Sequence, residues 1–327
     1  MLRQCTIIGA TILTSCLLFS SQAYADISKG DSALAAGNKT QAIAFYQSQE
    51  SDILAKIKLA QVYMGFDLDE AEEWIELARK QDNQDPRMHF TRGSIMGQQA
   101  ANSIFSALSY AGKSLDSFEQ AVALEPSNIA YQLGLLSFYL QAPSIAGGDK
   151  DKAKQVAQTI SALDPVEGLK ANIMVYSALE DKAGLDRLLQ EGLAQHSNDP
   201  WFLFNAGMIK QNNQEYGQAI GLLSQVPLDA ENEEFQQRYF SAQYQIGKTA
   251  ILAEDFYPVG LAALDNYIAN ATIGNGMPSI DWATFRKANI VQAMGDKANA
   301  SQLYKSIQAD DDKQLQKALK KALKQLS

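Results

Sequence analysis

Residues 201–227 read WFLFNAGMIKQNNQEYGQAIGLLSQVP. Two helix-length runs flank the turn-forming cluster Gln211-Asn212-Asn213, and Gly207 in the first run lies twelve positions before Ala219 in the second. Small residues on both sides of a turn let two antiparallel helices approach closely. Leu223 adds an apolar residue four positions after Ala219, and Pro227 closes the run. The stretch predicts a helical hairpin.

The same twelve-residue spacing recurs from Gly30 to Ala42, Ala250 to Ala262 and Ala288 to Ala300. Tyr46 and Tyr304 follow the first and last pairs by four, whereas the pair ending at Ala262 has Asn266 there with Tyr267 beside it. Elsewhere apolar residues repeat at intervals of three and four, as over residues 53–63 and 71–78, and strand-like alternation is scarce. Turn clusters such as Gly37-Asn38, Gly65-Phe66-Asp67, Gly147-Gly148-Asp149 and Gly295-Asp296 punctuate the helical runs. Phe118, Ala121 and Pro126 mark the end of one unit, and Ala153, Ile160 and Pro165 the end of the next.

This pattern resembles the tetratricopeptide repeat, a 34-residue helix-turn-helix unit with small residues at the helix contact. The resemblance implies an all-α fold, an α-α superhelix built as a solenoid of stacked helical hairpins. About seven units are expected over residues 26–312, followed by a capping helix over residues 313–327. The match is poorest from Glu167 to Asp199. Two segments exceed the repeat: Gly93 to Ser114 takes 21 positions instead of twelve, with the insertion near 94–113, and Pro126 to Pro165 takes 39, with the surplus in the loop near 142–149. A hairpin of this kind cannot bury its apolar faces alone; stacked neighbours share one core and leave a concave wall suited to binding.

Composition narrows the classes further. Of 327 residues, 46% are hydrophobic and 20% charged, which suits an ordered chain, and 28 Lys+Arg against 37 Asp+Glu give a formal charge of −9. That balance disfavours attraction to nucleic-acid phosphates, so no nucleic-acid partner is expected. The first 25 residues have the form of a secretory signal: Met1 to Arg3 is a short basic start, Thr6 to Phe19 an uncharged and mostly apolar run, and Ala23-Tyr24-Ala25 an A-x-A site. Cleavage before Asp26 removes one cation, taking the charge to −10, and removes both cysteines, Cys5 and Cys16. No later run is long and apolar enough to span a bilayer, so no stable membrane insertion is expected after cleavage. The processed chain is expected in a bacterial periplasm; the alternative is a lipoprotein anchored through Cys16, since Leu13-Thr14-Ser15-Cys16 resembles a lipobox.

The residues give little support to reaction chemistry. His89 and His196 are more than a hundred positions apart and outside any metal-ligand spacing, and no G-x-S-x-G elbow occurs. Acidic runs at 67–70, 231–234 and 310–312 lack a calcium-loop frame and suit helix starts, where the macrodipole favours negative charge. No enzyme, metal or cofactor is expected. The terminal stretch KQLQKALKKALKQLS carries an apolar stripe that would cap the last hairpin, or rest on a membrane surface or partner.

The resemblance also implies a groove lined by first-helix residues six and three before, and one and four after, the first small residue. This selects Trp201, Phe204, Met208 and Gln211 around Gly207, Tyr244 six before Ala250, and Trp282, Phe285, Asn289 and Gln292 around Ala288. Trp201, Tyr244 and Trp282 would form an aromatic ladder able to grip an extended peptide or an apolar ligand, or would instead staple each helix start to its neighbour. The expected function is a non-catalytic scaffold that binds a peptide segment or envelope protein in the groove. The alternative is a carrier of an apolar small molecule or lipid, serving a transporter.

Overall fold

The structure is a computed structural model that describes residues 27–273, 276–309 and 312–326. The expected signal, its cleavage site and the lipobox Cys16 lie outside the described residues, as do Asp310 and Asp311. Among the described residues the chain is all-α, without a strand. The chain divides into two compact units, one ending at Asp181 and the other beginning at Lys182. The division falls within the stretch that matches the repeat most poorly.

The first unit contains α1 (27–35), α2 (Lys39–Gln47), α3 (Ile53–Tyr63), α4 (Leu68–Gln81), α5 (Pro86–Asn102), α6 (Ala107–Leu124), α7 (Ile129–Gln141), a 3-10 turn at Ser144–Ala146, α8 (Lys150–Leu163) and α9 (Pro165–Ala178). The second contains α10 (Lys182–Gln195), α11 (Pro200–Asn212), α12 (Tyr216–Leu223), α13 (Glu233–Ala253), α14 (Tyr257–Asn270), α15 (Ile280–Ala293), α16 (Lys297–Ser306) and α17 (Lys313–Leu326). Among the described residues sixteen helices therefore precede α17, where seven hairpins would take fourteen.

Helix starts follow local chemistry. Asp85, Asp164 and Asp199 each accept from backbone N–H groups of the first turn, and each is followed by a proline whose missing N–H costs a helix start nothing. The acidic runs act the same way: Asp67 caps α4, and Asn232 caps α13 with Glu233 and Glu234 in its first turn.

Small residues set the helix contacts. A Cβ added to Gly207 would lie 2.7 Å from Leu223 Cγ and 3.4 Å from the Ala219 carbonyl oxygen, so the hairpin at 201–227 closes as its spacing predicts. A Cβ on Gly30 would run into the ring of Tyr46. Ser114 Oγ donates to the Gly93 carbonyl at 2.7 Å, so the insertion lengthens the α5–α6 hairpin without breaking its contact.

The pair at Ala250 and Ala262 is corrected. Ala262 is exposed, and the close approach is made by Gly247, which abuts Leu264, and by Gly260, whose added Cβ would sit 2.6 Å from that of Ala250. The connection between α13 and α14 holds Glu254 and Phe256 at positive φ, 52° and 58°. That turn puts thirteen rather than twelve positions between the facing glycines, which shifts the register of the whole repeat.

Helix α17 lies on the last hairpin. Leu315 and Ala322 are buried in a cluster with Phe285, Ala288, Ala300 and Tyr304, and Leu319, Leu323 and Leu326 pack against it. None of the described helices is long and apolar enough to cross a membrane.

Candidate functional site

The register fixes where each expected groove residue goes. Three of them, Phe285, Asn289 and Gln292 on α15, share a wall of one open cavity of about 780 Å³ in the second unit. Ile251 and Glu254 from the end of α13, Tyr257 of α14, Tyr304 of α16, and Ala318 and Lys321 of α17 complete it. Phe285 is buried, with its ring centroid 5.5 Å from that of Tyr304. The Tyr304 hydroxyl donates to Asn289 Oδ1 at 2.6 Å and lies 2.9 Å from Gln292. The facing atom of Gln292 is Oε1, so the one hydroxyl hydrogen has two amide oxygens as acceptors, the nearer being that of Asn289. Burial pushes the Tyr304 phenol up to about 12, and it remains a neutral donor at physiological pH.

Trp282 is tied to the same end of the unit. Its indole N–H donates to Asp312 Oδ2 at 2.7 Å, while Asp312 Oδ1 accepts from the backbone of Gln314 and Leu315 at the start of α17. The Leu315 N–H and then the Trp282 indole hold the Asp312 carboxyl below its ordinary value. The Arg286 guanidinium stands 5.6 Å from the Trp282 ring. Trp282 thus fastens its helix forward to α17, and it also packs backward against the cluster of Phe240, Tyr244, Leu264 and Tyr267 from the preceding hairpin.

The other expected residues do not join this wall. Trp201 is half-buried, edge-on to Phe202 at 5.3 Å, and it is Phe202 that reaches back, filling the space beside Gly192. Phe204 is half-buried beneath the Arg238 guanidinium at 5.3 Å, and Met208 is half-buried one turn further along α11. Gln211 is buried and donates to Thr249 Oγ1 at 2.6 Å, linking α11 to α13. Tyr244 is also buried, 5.7 Å from Tyr267. It lies three positions before Gly247, so it corresponds to Phe204 and Phe285 rather than to Trp201 and Trp282, and the expected three-rung ladder does not form.

The shorter offset carries a signal beyond its use in selecting Phe204 and Phe285. An aromatic three before the small residue recurs at Phe90, Phe204, Tyr244 and Phe285. Across their hairpins Phe90 meets Phe118 at 5.8 Å and Phe285 meets Tyr304. These rings are part of the hairpin core.

A second cavity, about 700 Å³, opens in the first unit among α5, α6, α7 and the turn that follows α7. Its wall is made of small residues and of Phe90, Phe118, Phe138 and Leu108, with two exposed carboxamides, Gln98 and Gln141, and no charged side chain. Beside it a buried ion pair pins α5: Arg92 Nε donates to Glu76 at 2.7 Å, and its guanidinium also reaches Ser117 Oγ at 2.6 Å. Burial alone would raise the Glu76 carboxyl, but Arg92 and Arg79 outweigh it and hold the group below its ordinary value.

The histidines have structural surroundings. His89 Nε2 lies 2.8 Å from the Asn83 carbonyl, and His196 stacks on Phe202 at 5.6 Å. Among the described residues no group of three or more His, Cys, Asp or Glu side chains is arranged to hold a metal ion.

No family model and no curated protein matches the chain. Solved structures similar to it include a tetratricopeptide repeat protein of Parabacteroides merdae, 12% identical with a TM-score of 0.47 over 94% of this chain and 99% of that one. The thermophilic TPR protein TTC0263 of Thermus thermophilus is 15% identical at a TM-score of 0.45, covering 54% and 93%. PilW, a widely conserved type IV pilus biogenesis factor, is 17% identical at a TM-score of 0.44, covering 82% and 98%. These likenesses carry no argument about what this chain binds.

Proposed function

We propose that this chain is a non-catalytic interaction scaffold that holds an extended peptide segment of an envelope protein in the groove of its second unit. One observation carries the reading: Asn289 and Gln292, one helical turn apart on α15, stand beside Phe285 on the wall of an open cavity of about 780 Å³. A carboxamide offers both donor and acceptor, the pair a peptide backbone needs at each residue, and the flanking aromatic supplies apolar area for a side chain. Glu254 and Lys321 give the wall one charge of each sign, a means of fixing the direction of a bound peptide. Delivery to the periplasm is supported by the basic start, the uncharged apolar run and Ala23-Tyr24-Ala25.

The test begins with the native protein. Envelope partners that co-purify with it are mapped to a segment, which is then titrated as a synthetic peptide against the processed chain. Asn289→Ala combined with Gln292→Ala is expected to weaken that peptide at least tenfold, and Trp282→Ala to weaken it less. Equal affinity in all three proteins would remove the groove from consideration. Mass determination of the mature N-terminus decides between a soluble product starting at Asp26 and a lipid-modified Cys16.

A further inference from the structure

The sequence departs from its repeat at two places, the insertion near 94–113 and the loop near 142–149, and the fold brings both to one cleft. Gly97, Ala100 and Ala101 of α5, with Ala107 of α6, come from the first departure; Ala142 and Ala146 come from the second. Gly147, at φ 98°, holds the turn against α6, where an added Cβ would stand 2.9 Å from Leu115. Two surplus segments far apart in sequence thus build one cavity, of a size that suits a small ligand.

We propose that this cleft binds the hydrocarbon chain of a single-chain amphiphile, such as a fatty acid or a lysophospholipid, with its headgroup outside. The lining has no charge, and two of its hydroxyls are already engaged: Ser94 with the Phe90 carbonyl and Ser114 with the Gly93 carbonyl. An extended peptide would bring an N–H and a C=O per residue to a wall whose two carboxamides, Gln98 and Gln141, belong to exposed residues, so the groups it buried deeper would go unsatisfied at a cost in free energy; a methylene chain brings none. The apolar surface also continues outward. Ile104 and Phe105 at the α5–α6 tip are 88% and 100% exposed, and Ile145 on the opposing turn is 82% exposed. A protein partner of ordinary size would bring a polar rim to such a site. Here the most exposed large side chains beside the cleft, Ile104, Phe105 and Ile145, are hydrocarbon, as suits a chain drawn from a bilayer or micelle. The site is separate from the groove of the second unit, so either assignment can fail without the other.

The experiment uses the detergent-free full chain and the fluorescent fatty acid 11-(dansylamino)undecanoic acid. Saturable binding of one probe per chain is expected, weakened at least tenfold by Ala107→Phe or Ala100→Phe and unchanged by Trp282→Ala. Displacement by palmitate alone identifies a free acid as the source, and displacement by palmitoyl lysophosphatidylcholine as well identifies a lysolipid; both support the site. Absence of saturable binding, indifference to both filling variants, or displacement only by an apolar helical peptide overturns it, the last in favour of a helical partner. Because a filling variant can disturb packing, a diazirine fatty acid is also photolysed on the unaltered protein. Labels confined to residues 90–118 and 134–146 support the assignment, and labels elsewhere overturn it.

Discussion

The cleft of the first unit is walled mainly by glycine, alanine and serine around three phenylalanines and carries no charge, whereas the groove of the second presents carboxamides, two phenols and one charge of each sign. Their origins differ as much as their chemistry. The second groove is built on one face of α15, within the regular spacing of the repeat, and is completed by the capping helix α17. The first arises where the repeat is exceeded, from a long hairpin tip and a long turn. A regular array supplies the same kind of wall at each step, and a different wall requires added chain. The comparison teaches that specificity in a helical repeat is to be sought both in its open faces and in its departures from period.

Three experiments probe the contrast, ordered by the largest effect each is expected to show. Gly148 packs so that an added Cβ would collide with the Ala142 carbonyl, which is backbone and cannot rotate away. Gly148→Ala is expected to cost about 3 kcal/mol in denaturant unfolding and to abolish probe binding in the cleft, since overpacking against a rigid neighbour lies at the upper end of its range. At Gly207 the neighbour is the Leu223 side chain, and Gly207→Ala is expected to cost only about 1 kcal/mol.

Next is the ion pair beside the cleft, whose side chains are 10% and 23% exposed at Arg92 and Glu76. Glu76→Gln leaves Arg92 buried without its counter-charge and is expected to cost about 2 kcal/mol at pH 7. Because the folded-state pKa of Glu76 is depressed, its stabilisation is present above the ordinary glutamate value, about 4.3, and is lost as pH falls through the lower folded value. The two proteins should therefore converge in stability on acidification. A gap that stays constant below pH 4 would show that the pair acts through packing alone.

The smallest effect concerns the second groove. Asp312 is held below its ordinary value by the Leu315 N–H and the Trp282 indole, so both bonds persist at neutral pH and weaken as pH falls through the folded value. In a chain with Trp74 and Trp201 replaced by phenylalanine, Trp282 emission should shift on acidification, and Asp312→Asn should reduce that shift at little cost in melting temperature. Emission that ignores pH in both proteins would mean that the indole bond does not fasten α17.

Much of this architecture is legible in the chain. Helices, their Asp-Pro starts and the hairpins at Gly30 and Gly207 depend on contacts within a few residues or across one short turn, and a period of 3.6 with a fixed turn length reveals them. The acidic runs were readable as helix starts for the same reason. Of the residues expected in the groove, Phe285, Asn289 and Gln292 line one cavity because the last hairpin keeps the twelve-residue spacing.

What the sequence determined by itself is the helical hairpin and its repetition, because backbone hydrogen bonds, caps and small-residue contacts are local. Only the tertiary structure decided which helix face closes. Two left-handed residues, Glu254 and Phe256, moved the contact from Ala262 to Gly260, and Tyr244 went with that register into the core. Nor could spacing reveal that Gln211 would be drawn into a buried bond with Thr249, 38 residues away, or that two insertions would meet at one cleft. Those outcomes depend on the conformation of single turns and on contacts between distant segments, which no local period encodes.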